Sequence, residues 1–184
     1  MKTRRKPAEA FLPKQGKLNT YRLLETESLS GKRTLLVDLG FSTFRDLSQR
    51  PKRKFRGGEI VEWKGGSRLV KSRRASEKDL FTYNGSFERI IDGDTFWVKI
   101  DLGFGVSTRQ KLRLRGVDTP EMKTRAGKKA KRFVEEELKS VSSVILTTTK
   151  PDKYDRYLSD IYYRGICLNK RLLETGHARL ASNA

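Results

Sequence analysis

The 184-residue sequence has one cysteine, one histidine and no long hydrophobic run. The single cysteine, Cys167, excludes an intramolecular disulfide, and the single histidine, His177, excludes a histidine-rich zinc site. No apolar stretch approaches the ~18 residues of a membrane-spanning helix, so we expect no integral membrane association. Residues 1–6 are basic like the start of a signal peptide, but no apolar segment follows them. We therefore expect no secretory signal and a cytoplasmic location.

Acidic residues are scarce relative to basic ones. The chain has 41 Lys and Arg against 22 Asp and Glu, a formal net charge of +19. Residues 1–80 carry 21 basic and 9 acidic side chains, a net +12, and residues 81–184 carry 20 and 13, a net +7. Such a field attracts polyanions, so we expect nucleic acid first and an anionic membrane surface second.

Composition divides the chain into three predicted parts. Residues 1–19 are basic and lack periodicity, which predicts a flexible arm. Residues 20–80 form a β-rich basic extension of unknown role, with a strand at 34–39, a hairpin around Gly65-Gly66 and a charged linker at 72–79. Residues 81–184 form the third part, which has the clearest periodicity.

In this third part, strands and helices alternate in the order expected of an OB-fold. Phe96, Val98 and Ile100 alternate with polar or aromatic residues, as do Leu112 and Leu114, and both patterns predict strands. An amphipathic helix is predicted over about 125–140, strands over 144–148 and 158–163, and a helix over 168–175 capped by Asn169 and ended by Gly176. We predict a mainly β protein with α elements (α+β), built on a five-stranded OB-fold barrel.

The tetrapeptide Asp-Leu-Gly-Phe occurs twice, at residues 38–41 and 101–104. Residues 30–41 align with residues 92–104 with one deletion, although the first copy lacks the acids of the second. A degenerate half-barrel and a chance match between two hairpins of similar composition both explain the repeat. From the sequence alone we favour chance.

Acids and arginines occur in three short clusters near the ends of strand-like runs: Asp92-Gly93-Asp94-Thr95, Arg113 with Asp118-Thr119-Pro120-Glu121, and Asp152-Lys153-Tyr154-Asp155-Arg156. Carboxylates can bind a hard divalent cation, and arginines can bind pairs of phosphate oxygens. A metal ion, a carboxylate base and two guanidinium groups are what phosphodiester hydrolysis needs. Taken alone, the first cluster is also typical of a tight turn. Any one arginine, taken alone, is also typical of general surface charge.

From about residue 83 to about residue 180, the order and spacing of these clusters resemble the staphylococcal nuclease (thermonuclease-like) family. The resemblance implies the OB-fold barrel and a Ca²⁺-dependent endonuclease, a phosphodiesterase that cleaves DNA and RNA to 3′-phosphate products. It implies Ca²⁺ binding by Asp94, Asp118 and the carbonyl of Thr119.

The resemblance also implies roles for the remaining members of the clusters. Glu121 matches the general base, and Arg113 and Arg156 match the two phosphate-binding arginines. Lys153 and Tyr154 match residues that line the nucleotide site. Two family tyrosines that stack near the base fall on Ser182 and Ala184, which puts base preference in doubt.

Two other functions compete with this one. OB barrels often bind single strands without cleaving them, so a non-catalytic nucleic-acid-binding module is the main alternative. The retained acids and arginines favour the enzyme. A basic protein of the membrane surface is the third hypothesis, but the chain lacks a basic amphipathic helix with bulky aromatic anchors. We expect a monomer whose partner is DNA, RNA or both.

Overall fold

The computed structural model describes residues 7–27, 31, 33–47, 55–151 and 156–181. These residues fall into two compact units. Unit 1 takes the described residues of 1–15, 84–100 and 108–184, and unit 2 takes those of 16–83 and 101–107. The change of unit at 83/84 lies close to the predicted boundary at 80/81, whereas residues 1–19 are divided between the two units.

The described residues contain three α-helices, α1 (Pro7–Ala10), α2 (Arg125–Leu138) and α3 (Leu168–Glu174), and a 3₁₀ turn at Glu77–Asp79. The strands are β1 (Thr20–Glu27), β2 (Arg33–Asp38), β3 (Phe44–Asp46), β4 (Ile60–Trp63), β5 (Leu69–Lys71), β6 (Thr82–Ile90), β7 (Thr95–Gly103), β8 (Val106–Leu114), β9 (Val117–Asp118), β10 (Val144–Pro151), β11 (Tyr157–Tyr163), β12 (Ile166–Cys167) and β13 (Arg179–Leu180). Of the helices in these ranges, none has the length and apolar character needed to cross a membrane.

Five strands close into a barrel in the order β10-β6-β7-β8-β11, because β10 also pairs with β11. The β8–β11 pair is parallel and the β10–β11 pair is antiparallel. Alternation along β7 places Phe96, Val98 and Ile100 in the core, fully buried, while Lys99 is exposed. The closed five-stranded barrel confirms the predicted OB-fold type in an α+β protein.

The two predicted helices of unit 1 are present, but one predicted cap is wrong. α3 begins at Leu168 after Cys167, and the Asn169 side chain does not cap it. Asn169 is fully buried, and its amide donates to the carbonyl oxygens of Arg115 (3.0 Å) and Ser159 (3.1 Å). A buried amide must find hydrogen-bond partners, and here the neighbouring strands supply them.

The N-terminal segment of unit 1 is packed, which differs from the flexible arm expected for residues 1–19. Phe11 is buried, and the Arg115 guanidinium lies 5.1 Å from the centre of its ring. Arg115 also donates to the Leu12 carbonyl (2.7 Å) and to the buried carboxylate of Asp160 (2.7 Å), which accepts in addition from the Lys14 N–H (2.6 Å). The apolar ring and these charged hydrogen bonds hold the described residues 7–15 in place.

Unit 2 contains an antiparallel sheet in the order β3-β2-β1-β4-β5. The predicted strand at 34–39 is present as β2, and the predicted hairpin around Gly65-Gly66 joins β4 and β5. Leu23, Val37 and Val61 are fully buried and form the centre of this unit.

The two Asp-Leu-Gly-Phe segments have the same backbone geometry. In each, the Asp carboxylate accepts from the glycine N–H two residues on, at 2.9 Å in both Asp38–Gly40 and Asp101–Gly103. Both glycines have positive φ, +79° and +81°, and the phenylalanine that follows each one has φ of +52° or +56°. The match therefore extends from sequence to conformation.

Each of these turns accepts a hydrogen bond from a tyrosine that precedes the other copy of the repeat in the sequence. The Tyr21 hydroxyl donates to the Leu102 carbonyl (2.8 Å), and the Tyr83 hydroxyl donates to the Leu39 carbonyl (2.9 Å). A Cβ on either turn glycine would lie 2.1 or 2.2 Å from the tyrosine oxygen, so only glycine fits. This reciprocal contact supports a degenerate half-barrel over the chance match that we favoured from the sequence.

Candidate active site

Asp94 is the most buried acid of the predicted site, with a side chain 3% exposed. Its Oδ1 accepts from the Thr95 hydroxyl (3.0 Å) and from Arg113 (2.8 Å). Its Oδ2 accepts from the Thr119 N–H (2.8 Å) and the Thr119 hydroxyl (3.0 Å). Burial raises the pKa of the Asp94 carboxyl, while the Thr119 N–H and the Arg113 guanidinium lower it. A carboxylate in this position is stabilised by positive charge beside it.

Arg113 supplies that charge and joins the two predicted metal ligands. One of its terminal nitrogens donates to Asp94, and the other donates to Asp118 Oδ1. The Arg113 side chain is 22% exposed and that of Asp118 is 30% exposed, so the pair borders solvent. The structure thus brings Asp94, Arg113 and Asp118 together, as the sequence predicts.

Asp118 and Thr119 are positioned by backbone pairing. Asp118 lies in β9, where its register partner is Arg179 of β13, and Val117 pairs with Leu180. The Thr119 N–H and hydroxyl both donate to Asp94 Oδ2, so Thr119 contacts Asp94 through its hydrogen-bond donors. The role of its carbonyl as a metal ligand stays a prediction.

Glu121 lies at the approach to α2 and is exposed, with a side chain 70% accessible that pairs with Lys123 at 2.7 Å. Its backbone is fixed, because its carbonyl accepts from the Thr124 N–H (2.9 Å) and the Thr124 hydroxyl (2.7 Å). The Thr124 oxygen also accepts from the Gly127 N–H, which caps the helix. A Cβ on Gly127 would lie 2.1 Å from the Glu121 carbonyl oxygen, so the close approach requires glycine.

The remaining predicted residues are placed less completely. Arg156 is half-buried, and the residue after it, Tyr157, is the parallel register partner of Leu112, the neighbour of Arg113. This register brings the start of β11 beside the strand that carries Arg113. Lys153 and Tyr154 lie outside the described residues, as do Ser182 and Ala184.

A groove of about 430 Å³ lies beside these acids, lined among others by Asp118, Thr119, Glu121, His177 and Arg179. His177 and Arg179 had not been predicted as site residues. Their only signal in the sequence is that they follow Gly176, which ends the last helix beside the site. Sequence spacing could not show that β13 returns to pair with β9.

His177 is held in a defined orientation at this groove. Its ring stacks on Phe133 with centroids 4.2 Å apart and planes 13° from parallel. Its Nδ1 lies 3.0 Å from the Thr175 hydroxyl oxygen, whose own proton goes to the Arg171 carbonyl at 2.9 Å. This network assigns the proton of the neutral ring to Nδ1. Burial and then the charge of Lys129 lower the pKa of the imidazole, which favours that neutral form at pH 7.

The acids of the site fit a divalent cation in their chemistry. Across the described ranges, no group of three or more His, Cys, Asp or Glu side chains converges on a single point. Asp94 and Asp118 nevertheless share one positive group, the Arg113 guanidinium. Carboxylate oxygens directed at one positive centre are the ligands that Ca²⁺ prefers. Two carboxylates would leave further coordination positions for water and for a phosphate oxygen.

The closed five-stranded barrel with helices is typical of an OB-fold protein, and its strands carry the acid–arginine cluster. Residues 111–184 match the model of the family described as Staphylococcal nuclease homologue. Over these residues the chain is therefore similar to that family. The matched stretch includes Arg113, Asp118 and Glu121, and Asp94 joins them through the hydrogen bonds given above.

Similar proteins occur in archaea, bacteria and plants. An uncharacterized protein of Methanocaldococcus jannaschii is 33% identical over 127 residues, which cover 53% of this chain and 59% of that protein. An uncharacterized protein of Bacillus anthracis is 30% identical over 142 residues, covering 72% of this chain and 64% of that protein. A protein of Oryza sativa subsp. japonica, named as a probable staphylococcal-like nuclease, is 30% identical over 73 residues, which are 40% of this chain and 20% of that protein.

The chain thus spans about three fifths of the first two relatives. Both alignments are longer than the stretch 111–184, so each includes part of the chain before residue 111.

Proposed function

We propose that this protein is a Ca²⁺-dependent endonuclease that hydrolyses phosphodiester bonds of DNA and RNA and leaves 3′-phosphate ends. The observation that carries the proposal is the cluster of Asp94, Arg113 and Asp118, in which a buried carboxylate and a half-exposed one share one guanidinium. The family of residues 111–184 and the name of the rice relative support the same reaction class.

In this proposal the arginines bind the scissile phosphate. A guanidinium presents two parallel N–H donors, which suit two oxygens of a phosphate as negative charge builds on them. Arg113 is engaged with both carboxylates, so it can bind phosphate fully only when another cation neutralises Asp94 and Asp118. Arg156 is the second donor, from the start of the neighbouring strand.

Glu121 is the proposed general base. Its side chain is exposed and lines the groove with Asp118 and Thr119, where a water can lie between it and a bound phosphate. A carboxylate there takes the proton from water as the water attacks phosphorus in line, the bond from phosphorus to the 5′ oxygen breaks, and the departing 5′ oxygen takes a proton from solvent, which leaves the phosphate on the 3′ oxygen. Ca²⁺, held by Asp94 and Asp118, would supply Lewis-acid polarisation of the phosphate.

The experiment is a cleavage assay with purified full-length protein on single-stranded DNA, double-stranded DNA and RNA, each with Ca²⁺ and with a chelator. We expect cleavage with Ca²⁺, none with chelator, and 3′-phosphate termini on the products. Full activity in chelator, or activity supported by Zn²⁺ alone, would refute the metal assignment. Binding of all three substrates without cleavage would favour the non-catalytic binding module instead.

A further inference from the structure

Unit 2 has a groove of its own, of about 410 Å³, formed where residues 17–19 meet the β4–β5 hairpin. Its lining includes Trp63, Lys17, Lys64, Asn19 and Glu62. None of these residues belongs to the acid–arginine cluster or to the groove beside it. An aromatic ring and two ammonium groups around one groove are a combination typical of nucleic-acid binding.

The Trp63 ring is fixed before any ligand binds. One face stacks on Phe104, with centroids 4.7 Å apart and planes 28° from parallel. The indole N–H donates to the Gly66 carbonyl (3.0 Å), and the backbone N–H of Trp63 donates to the Asn19 carbonyl (2.9 Å). Trp63 is half-buried, so part of the ring remains accessible. A rigid, partly exposed ring gives a stacking surface that loses little entropy on binding.

The two ammonium groups are also held in place, by one carboxylate. Glu62 has a side chain 12% exposed and accepts from Lys17 Nζ (2.7 Å), Lys64 Nζ (2.6 Å) and the Ser72 hydroxyl (2.8 Å). These hydrogen bonds lower the pKa of the Glu62 carboxyl to about 2, so it is ionised at neutral pH. The lysine side chains are 51% and 47% exposed. Each ammonium has three N–H donors, which leaves donors for another anion, and the three groups together carry one net positive charge.

We propose that this groove is a second binding site, which takes a nucleotide of single-stranded nucleic acid, with a base on Trp63 and a phosphate on Lys17 and Lys64. A base supplies the flat π surface that an accessible indole stacks on. The adjoining phosphate supplies negative charge, which balances the net positive charge of Lys17, Lys64 and Glu62. The proposal concerns residues other than those of the proposed cleavage site, so it stands or falls separately from the nuclease activity.

The test uses fluorescence anisotropy of labelled oligodeoxythymidylate, and separately of labelled inorganic polyphosphate, on the full chain in chelator. Polyphosphate has the charge without bases. Trp63→Leu is expected to weaken oligodeoxythymidylate binding about tenfold and to leave polyphosphate binding unchanged. Lys64→Gln is expected to weaken both ligands. Lys71→Gln is the matched control, because Lys71 pairs with Glu59 at 2.7 Å in the same way but lies outside the groove lining.

A second measurement avoids dependence on the stability of Trp63→Leu. In a Trp97→Phe background, Trp63 is the only tryptophan, and oligodeoxythymidylate is expected to quench its fluorescence while polyphosphate is not. Absence of quenching, or unchanged oligonucleotide binding in a folded Trp63→Leu variant, would overturn the proposal. Equal losses in Lys64→Gln and Lys71→Gln would overturn it too, since general surface charge would then explain the binding. Because these measurements are made in chelator, where no cleavage is expected, quenching of Trp63 is measured separately from the nuclease activity.

Discussion

The turn at residues 38–41 and the turn at residues 101–104 have the same φ values, the same Asp–Gly hydrogen bond and the same tyrosine contact. They differ in what comes before them. The strand that leads to the second turn begins after Asp92-Gly93-Asp94, whereas the start of the first copy, residues 30–32, reads Ser-Gly-Lys.

The two copies share the residues that shape the turn, but they differ in the residues assigned to chemistry. Both copies keep the residues that the reciprocal tyrosine contacts need, including a glycine against each hydroxyl. In the part of the chain that the structure describes, the second copy has an acid, Asp94, that is joined to a second acid, Asp118, through Arg113. We infer that the first copy supplies structure, and that the proposed hydrolysis belongs to the cluster that includes Asp94 of the second copy.

The largest expected effect comes from the groups assigned to chemistry. Glu121→Gln and Arg156→Ala are each expected to lower the turnover number by at least ~10²-fold, because one removes the base and the other a donor to the transition state. Steady-state cleavage at saturating substrate measures this, and thermal melting checks that the variants remain folded.

Matched variants on α2 control for the loss of charge. Glu136→Gln removes an acid 75% exposed on the helix, and Arg132→Ala removes an exposed base from the same element. Both should cleave at the wild-type rate. Wild-type activity in Glu121→Gln or Arg156→Ala would show that the substituted residue has no catalytic role and is an ordinary surface charge.

A smaller effect tests the equivalence of the two turns. Tyr21→Phe and Tyr83→Phe each remove the hydroxyl that donates to a buried backbone carbonyl. Each is expected to lower the free energy of unfolding by about 1–3 kcal/mol, with the two losses equal to within about 0.5 kcal/mol. Urea denaturation of the full chain measures both. A decrease in the free energy of unfolding for only one of the two variants would show that the two tyrosine contacts do not stabilise the protein equally.

Much of the fold was predictable, because its signals are local. The alternation of Phe96, Val98 and Ile100 predicted β7, and the spacing of apolar residues predicted α2. Arg113, Asp94 and Asp118 were also predicted as members of one site, but the hydrogen bonds that join them were not predicted.

The rest depends on contacts that sequence periodicity does not encode. Phe11 belongs to a segment without periodicity, yet it is buried beside Arg115. His177 reaches the candidate site only because β13 pairs with β9, and each of those strands has two residues. The tyrosine contacts join residues 81 and 44 positions apart, so the repeated tetrapeptide could suggest them but not prove them.

Calorimetric titration of Ca²⁺ into the wild-type chain and into Asp94→Asn tests most directly whether the proposed cation site lies at Asp94, in the second copy. Asn keeps the size of Asp94 and removes the charge that a hard cation needs, but its amide nitrogen cannot accept the hydrogen bonds that one of the Asp94 carboxylate oxygens accepts. We predict saturable heat of Ca²⁺ binding to the wild-type protein and none to Asp94→Asn at the same concentrations, with both proteins folded. Equal Ca²⁺ binding by the two proteins would contradict the account, because the cation would then lie elsewhere in the chain.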